Sequence, residues 1–183
     1  CLLVLAIGCK RSGQNATNNS AGTAEVTNGL NANRIEALSL LEKGKQLYRE
    51  DHDSEAVDAF QQAVKLDPEL AEAHFRLALS YEALGKSEEA EAQYKKAVEA
   101  YKKFIEANPD DAEAHYNLGI TRQNLQQPGL AIAAYRRAAE LRPDHVGTFF
   151  NLGSALRSQG LSAEAVVAFR RAIAIKPGYA EAH

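Results

Sequence analysis

Histidines are the first residues in this chain whose type and spacing could support chemistry. Three of the five follow the same tripeptide, Ala-Glu-Ala, and these are His74, His115 and His183. Imidazoles can bind zinc, but one ion must reach all of its ligands through bonds of about 2.0–2.1 Å. Equivalent places on neighbouring packed helices lie roughly 10 Å apart. We therefore predict no metal site and no cofactor, and we expect these rings to be wedged between helices.

Other catalytic signatures are missing from the sequence. It contains no G-x-S-x-G string, no Walker-type loop and no G-x-G-x-x-G loop, so acyl and nucleotide chemistry have no anchor. The two cysteines, Cys1 and Cys9, lie near the N-terminus and form no CxxC motif. Charged residues make up 25% of the chain and the net charge is −3, which does not favour a nucleic-acid partner. The sequence predicts a protein that is not an enzyme by itself.

A fixed spacing of 34 residues organises most of the chain. One set of small, aromatic and proline residues comprises Leu118, Gly119, Ala131, Tyr135, Ala138 and Pro143. The same set recurs 34 residues later as Leu152, Gly153, Ala165, Phe169, Ala172 and Pro177. Related sets precede it, at Gly44, Ala56, Phe60, Ala63 and Pro68, and at Leu77, Ala78, Tyr81, Ala90, Tyr94 and Ala97. A fixed period of this length indicates a repeat array.

This pattern, L-G/A-x-x-Y/L followed by A-x-x-x-F/Y and then proline, resembles the tetratricopeptide repeat (TPR) family over about residues 34–183. The resemblance implies an all-α fold, a right-handed solenoid of helix-turn-helix pairs with helices A and B in each repeat. The repeats fall at residues 37–70, 71–111, 112–145 and 146–179, and a fifth begins at 180–183, after a disordered N-terminal segment. The resemblance also implies a concave groove, lined by the A helices, that binds peptide segments of other proteins.

Apolar periodicity and helix-ending residues predict where the helices lie. The predicted A helices span residues 34–50, 69–84, 110–125 and 144–159, and the predicted B helices span 54–66, 86–107, 128–141 and 162–175. Asp53 or Ser54 is the predicted N-cap of the first B helix. Gly85 and Gly160 are predicted to end A helices in a left-handed conformation.

Small residues should let the two helices of each repeat approach closely. On the A helices these are Gly44, Ala78, Gly119 and Gly153, expected to face Ala56, Ala90, Ala131 and Ala165 on the B helices. Large rings are expected to fill the space between successive pairs, and these are Phe60, Tyr94, Tyr135 and Phe169.

The second repeat is seven residues too long. Pro68 and Pro109 are 41 residues apart instead of 34, and the string from Ala90 to Ala97 is repeated from Ala97 to Phe104. Seven residues are about two helical turns, so the insertion should lengthen helix B by about 10 Å and keep its apolar face in register. Either the longer helix offers a partner its lysines, or the duplication is neutral and its face is solvated. Those lysines are Lys95, Lys96, Lys102 and Lys103.

The N-terminal residues suggest a membrane anchor. Residues 1–9 form a short apolar run that ends in Cys9 and resembles the end of a bacterial signal peptide with its lipobox. The run is shorter than the roughly 20 residues that span a bilayer. The resemblance implies lipidation of Cys9, and residues 10–33 are predicted to be a flexible linker. The predicted location is the bacterial cell envelope, facing the periplasm or the exterior.

The C-terminal end of the array has two interpretations. Either the fifth repeat at 180–183 is cut short, or another molecule covers the apolar surface of the last helix. That surface comprises Val166, Val167 and Ile173. The second interpretation allows self-association through an uncapped end.

The groove implied by the resemblance is lined by the second, fifth, sixth, ninth, twelfth and thirteenth places of the A helices. The candidate residues are Leu41, Lys45, Phe75, Arg76, Leu79, Tyr116, Asn117, Ile120, Phe150, Asn151 and Arg157. Asn117 and Asn151 suit an extended peptide, because an amide both donates hydrogen bonds to a peptide backbone and accepts them from it. Alternatively, the aromatic residues pack between A helices and the asparagines are solvated. The carboxylate clamp of chaperone-binding members is absent, because neither register supplies its cations.

Taken together, these features predict a non-catalytic scaffold that binds a protein or peptide segment in its groove and is held to a membrane through Cys9. The alternative is the recruiting TPR arm of a larger enzyme, such as a glycosyltransferase.

Overall fold

The structure is a computed structural model that describes residues 19–177. Within this range the chain forms α-helices joined by short turns. They are α1 (Asn19–Arg49), α2 (Asp53–Leu66), α3 (Ala71–Ala83), α4 (Ser87–Ala107), α5 (Ala112–Asn124), α6 (Pro128–Leu141), α7 (Val146–Ser158) and α8 (Ser162–Ile175). Each odd-numbered helix packs against the next helix as a pair, and each pair packs against the following pair. The predicted all-α solenoid of helix pairs is confirmed.

The predicted B helices α6 and α8 match the structure residue for residue. The later A helices begin two residues after the predicted start, as α3 does at Ala71. A turn accounts for the delay, because the carbonyl oxygen of Asp67 accepts a hydrogen bond from the Leu70 amide at 3.1 Å. The Asp67 carboxylate accepts a second one from the Glu69 amide at 3.1 Å.

Helix α1 differs from the prediction at its N-terminal end. It begins at Asn19, whereas the sequence predicted a flexible linker over residues 10–33 and a helix from Arg34. Extending an existing helix avoids the cost of nucleating one, so even residues of low helix propensity can join it. The segment also contains Ala21, Ala24 and Ala32, the residue type with the best helix propensity. Residues 1–18, including Cys9, and residues 178–183 lie outside the described residues.

The turn between the helices of a pair uses one left-handed residue at the fifteenth place of every repeat. These residues are Asp51, Gly85, Gln126 and Gly160, with φ angles of 60°, 73°, 55° and 73°. The predicted glycine stops are therefore confirmed. The predicted N-cap of α2 is wrong, because the cap is His52, whose side chain makes no capping bond. The backbone amide of His52 instead donates to the Leu47 carbonyl at 3.0 Å. Asp53 therefore lies inside the first turn of α2.

The small residues of the A helices make room for rings. A methyl group added at Gly119 would lie 2.4 Å from the Tyr135 ring, and one at Gly44 would lie 2.5 Å from the Phe60 ring. The nearest neighbours of these glycines are thus aromatic rings of their own repeat, rather than the predicted alanines. Phe60, Tyr94 and Tyr135 are among the most deeply buried side chains of the described core.

The inserted heptad lengthens one B helix as predicted. Helix α4 has 21 residues, whereas α2, α6 and α8 each have 14. The insertion adds Tyr101, which is 5% exposed, and Phe104, which is 39% exposed. It therefore extends the core between the second and third repeats as well as the helix.

Candidate functional site

The candidate groove lies along the A helices, where α1 packs against α3 and α5 packs against α7. Its predicted apolar stripe is only partly open. Leu41 and Phe75 are 2% and 6% exposed, so the groove assignment does not hold for these two residues. Tyr116 and Phe150 are half-buried. The stripe fits better with the alternative interpretation, in which its aromatic residues pack against neighbouring side chains. The rings that they contact lie on the B helices and not on the A helices.

Each aromatic residue of the stripe packs against the ring of the B helix in its own repeat. The Phe75 and Tyr94 ring centroids are 6.0 Å apart, as are those of Tyr116 and Tyr135. The Phe150 and Phe169 centroids are 5.8 Å apart. Edge and tilted contacts at these distances favour ring packing beyond simple burial. The fifth place is therefore mainly a core position in this chain.

The polar candidates form two networks along the A helices. Near α1 and α3, the Lys45 ammonium contacts Glu42 at 2.8 Å and Glu72 at 3.3 Å, and Arg76 contacts Glu72 at 3.2 Å. The hydrogen bond from Lys45 to Glu42 raises the pKa of the Lys45 ammonium.

Near α5 and α7, the Asn151 amide donates to the Tyr116 hydroxyl at 3.2 Å. The Tyr116 ring also meets the His145 ring edge-on, with centroids 4.7 Å apart. Asn117 and Asn151 are both half-buried, and each amide keeps part of its hydrogen-bonding capacity. Two apolar candidates, Leu79 and Ile120, are half-buried contacts of the core.

A second set of contacts was missed by sequence reasoning. The Tyr94 hydroxyl donates to the Glu82 carboxylate at 2.7 Å and accepts from the Asn124 amide at 2.9 Å. The Tyr135 hydroxyl donates to Gln123 at 3.0 Å. Glu82 and Gln123 occupy the same place, the twelfth, of successive repeats.

The fourth repeat shows the signal that could have revealed this pairing. Phe169 stands where Tyr94 and Tyr135 stand earlier, and it has no hydroxyl to donate. The twelfth place of its repeat is Arg157, whose guanidinium lies 5.7 Å from the Phe169 ring centroid. The tyrosines of the second and third repeats thus have an acceptor at the twelfth place, and the phenylalanine of the fourth has a cation there. Arg157 is therefore engaged with a ring in this structure.

The histidines that follow the repeated tripeptide differ in burial where the structure describes them. His74 is buried, with Nε2 at 3.1 Å from the Pro68 carbonyl and Nδ1 at 2.8 Å from Gln93. His115 is half-buried, and its Nε2 lies 3.0 Å from the Pro109 carbonyl. His183 is outside the described residues. Between residues 19 and 177, no cluster of three or more potential metal ligands is found.

A cavity of about 200 Å³ lies where α3, α4 and α5 meet. Its wall includes Tyr101 and Phe104 from the inserted heptad and Asn117 from the candidate groove. Four acidic residues and Arg34 complete the polar part of the wall, and the acidic residues are Glu69, Glu72, Asp111 and Glu113.

Comparison with known proteins identifies the repeat. Models of the TPR repeat match residues 44–85 and 90–126, and models of the tetratricopeptide repeat match residues 118–180 and 71–104. The chain belongs to the tetratricopeptide repeat family. No curated protein sequence matches it.

Several solved TPR structures resemble this one. One crystal structure of MamA is 28% identical, and the match covers 76% of this chain and 77% of the other, with a TM-score of 0.57. A second is 26% identical, and the match covers 80% of this chain and 76% of the other, with a TM-score of 0.59. The first TPR domain of Spaghetti (RPAP3), solved with the HSP90 peptide SRMEEVD, is 25% identical. That match covers 69% of this chain and 95% of the other, with a TM-score of 0.52.

The family and these neighbours make this TPR chain a protein-interaction scaffold. Among the residues that the structure describes, no helix is both long enough and apolar enough to span a bilayer.

Proposed function

We propose that this TPR protein binds an extended protein segment along its A helices. The observation that carries the proposal is the pair of half-buried amides, Asn117 and Asn151, at the same place of α5 and α7. Such amides can pair with the backbone of a peptide of any sequence. Asn151 is also held by the Tyr116 hydroxyl, which fixes its direction and lowers the entropy lost on binding.

The related RPAP3 domain supports this mode, because it was solved with a bound peptide. That peptide, SRMEEVD, carries three carboxylate side chains and one arginine. The cavity beside Asn117 has four acidic residues in its wall, and three of them are paired with cations of this chain.

Site-specific photocrosslinking tests the groove. A benzoylphenylalanine residue placed at position 117 should capture a partner segment in the native cell, and one at position 151 should capture the same partner. Gln62, an exposed residue of α2, is the matched control position and should give no such adduct. The same adducts from all three positions, or none from 117 and 151, would contradict the proposal.

Substitution supplies a second arm of the test. The double variant Asn117→Ala with Asn151→Ala should weaken capture of the crosslinked partner, because both amides are removed. Its melting temperature should fall only slightly, since a single hydrogen bond of 3.2 Å to Tyr116 is lost. Gln62→Ala is the control and should bind as the parent does.

We further propose that the chain is tethered to a bacterial envelope membrane through a lipid on Cys9 and faces the periplasm or the exterior. The support is the sequence of residues 1–9, an apolar run with small residues before the cysteine. Cells grown with an alkyne-labelled fatty acid should label the parent protein and the Cys1→Ser variant, but not the Cys9→Ser variant. Equal labelling of both variants would contradict the tether.

The last helix offers a specific reason to propose self-association. Val166 occupies the place of Val57 and Ile132 in earlier repeats. These two are 6% and 7% exposed because the next A helix covers them, whereas Val166 is 47% exposed and its neighbour Val167 is 67% exposed. A second copy packed against α8 would bury this surface as the next repeat does elsewhere.

A further inference from the structure

Helix α8 carries apolar residues on a side that is exposed in every B helix. Its members are Ala163, Val167 and Ala174, and we call this side the outer face of α8. We propose that the outer face pairs with its copy on a second molecule, so that two α8 helices lie antiparallel about a two-fold axis beside Val167. Such a pair would bury Val167 at its centre and Val166 at its edge. The inference rests on the self-association proposed above and adds to it the geometry of the dimer.

The first observation is that Val167 is exposed for a different reason from Val166. Counted back from the start of the next A helix, the place of Val166 holds Val57, Val98 and Ile132 in the earlier repeats. These three are 6%, 3% and 7% exposed. The place of Val167 holds Asp58, Glu99 and Ala133, and all three are exposed although another repeat follows each of them. A following repeat would therefore cover Val166 but leave Val167, which is 67% exposed, in solvent.

The second observation is the composition of the outer face. Ala163 and Ala174 lie within about 40° of Val167 around the helix axis. In α2 and α4 the same three places hold only polar or charged residues, which are Ser54, Asp58, Lys65, Lys95, Glu99 and Glu106. Another side of α8 is buried within its own repeat, through Ala165, Ala168 and Ala172. A helix that is apolar on several sides is usually buried on all of them, so the outer face should have a partner.

The third observation is that the charges beside the outer face are self-complementary. Glu164 and Arg171 are seven residues apart, so they lie on one flank of α8, before and after Val167. In an antiparallel pair about a two-fold axis beside Val167, Glu164 of each copy faces Arg171 of the other, and the contact is made twice. Within the chain, Glu164 pairs with Arg136 where both side chains are 53% exposed, and Arg171 donates to the Pro143 carbonyl at 3.2 Å. Exposed contacts of this kind contribute little, so a second copy can share or replace them.

The N-terminal end of the array argues against head-to-tail stacking. Helix α3 packs against the pair that precedes it, and its Ala73 and Leu77 are 0% and 1% exposed. The same places of α1 hold Ser39 and Lys43, and both are exposed. Packing this hydrophilic side against the valines of α8 would bury a charge without a partner. The second copy therefore presents α8 rather than α1.

Cysteine crosslinking tests the two-fold geometry. In the 183-residue chain with Cys1→Ser and Cys9→Ser, Val167→Cys should give a disulfide-linked dimer on mild oxidation, because the two copies of this residue meet at the axis. Ala133→Cys is the matched control, since it is exposed at the same place of the third repeat, and it should stay monomeric. No linked dimer from Val167→Cys, or equal amounts from both variants, would overturn the proposal.

Charge reversal tests the register of the two helices. Glu164→Arg and Arg171→Glu should each raise the dimer dissociation constant roughly tenfold in sedimentation equilibrium, because like charges then meet twice. The two substitutions together should restore the parent value. Arg136→Gln is the control, because it removes the internal partner of Glu164 without changing α8, and the dimer should be unaffected. A double variant that is no tighter than the single ones would overturn the register.

A mixed crosslink separates this geometry from self-association in general. If copies carrying Val166→Cys link to copies carrying Ser39→Cys and Val167→Cys does not link to itself, the stack is head-to-tail. Self-association would then stand and the two-fold proposal would fail. A parent chain that is monomeric at every soluble concentration would overturn both, while crosslinking from position 117 would still test the groove. All of these positions are exposed, so the variants should melt close to the parent, and the crosslink decides alone if a charge variant fails to fold.

Discussion

At the residue scale, three buried tyrosines of the B helices differ in what their hydroxyls contact. The hydroxyls of Tyr94 and Tyr135 have partners at the twelfth place, whereas the Tyr101 hydroxyl has no hydrogen bond in the structure. Burial raises the pKa of all three phenols above the usual value near 10. The neutral phenol is therefore the form that the folded state accommodates.

This shift predicts how stability depends on pH. Above about pH 10, the unfolded chain loses phenolic protons that the folded chain keeps. The contribution of these phenols to the free energy of unfolding is therefore fully present below that pH and decreases as the pH rises further. In urea titrations between pH 9 and pH 11, Tyr101→Phe should show a smaller fall than the parent. Parallel curves for the two proteins would show that Tyr101 does not contribute.

The glycines of the A helices give a second prediction at this scale. Gly119→Ala should lower stability by about 1–3 kcal/mol, because its new methyl group would lie 2.4 Å from the buried Tyr135 ring. Gly129→Ala is the matched control in α6, where an added methyl meets nothing within 4 Å. That variant should be as stable as the parent or slightly more stable, because alanine favours a helix over glycine and Gly129 stands in the first turn of α6. Urea denaturation measures both, and equal effects would rule out the steric explanation.

At the element scale, α4 shows why the insertion has seven residues. Seven residues are close to two whole turns, so the apolar face keeps its direction after the insertion. Ala90, Tyr94, Ala97 and Tyr101 are all buried along this one face. An insertion of arbitrary length would have rotated the end of the helix away from the core.

Removing the heptad tests this account. Deletion of residues 98–104 restores the 34-residue spacing between Pro68 and Pro109, so the chain should stay helical and folded by circular dichroism and thermal melting. The cavity that Tyr101 and Phe104 line should be lost with them. Deletion of Lys102 and Lys103 alone is the control, because it rotates the rest of α4 by about 160°. That variant should melt well below the seven-residue deletion, and the reverse order would contradict the register argument.

At the scale of the whole molecule, the repeats form a stack in which each pair contacts its neighbours. Stability in such an array is close to a sum of repeat and interface contributions. Among the described residues, Val166 and Val167 on α8 keep apolar surface exposed.

Self-association through this surface is the prediction at the largest scale. The parent chain should form dimers or larger species in light scattering at high concentration, and Val166→Glu should shift it towards the monomer. Leu130→Glu is the matched control. Leu130 is 53% exposed on α6, and it stands at a different place in its repeat from Val166. A monomeric parent, or equal effects of the two substitutions, would contradict the prediction.

The sequence by itself determined the fold class, the two left-handed glycines and the length of α4. These follow from local preference and from a period that packing imposes on every copy, so they can be read from one chain. The pairing of Arg157 with Phe169 was also within reach, because these residues stand where an acceptor and a tyrosine stand in the two preceding repeats.

Only the tertiary structure decided which side chains line the groove. Leu41 and Phe75 share a place with Tyr116 and Phe150, yet the first two are buried and the others are half-exposed. The difference depends on what neighbouring helices and the longer α4 cover, which the residue type does not reveal. The cavity beside Tyr101 arises in the same way, because residues distant in sequence meet there and one hydroxyl is left without a hydrogen bond.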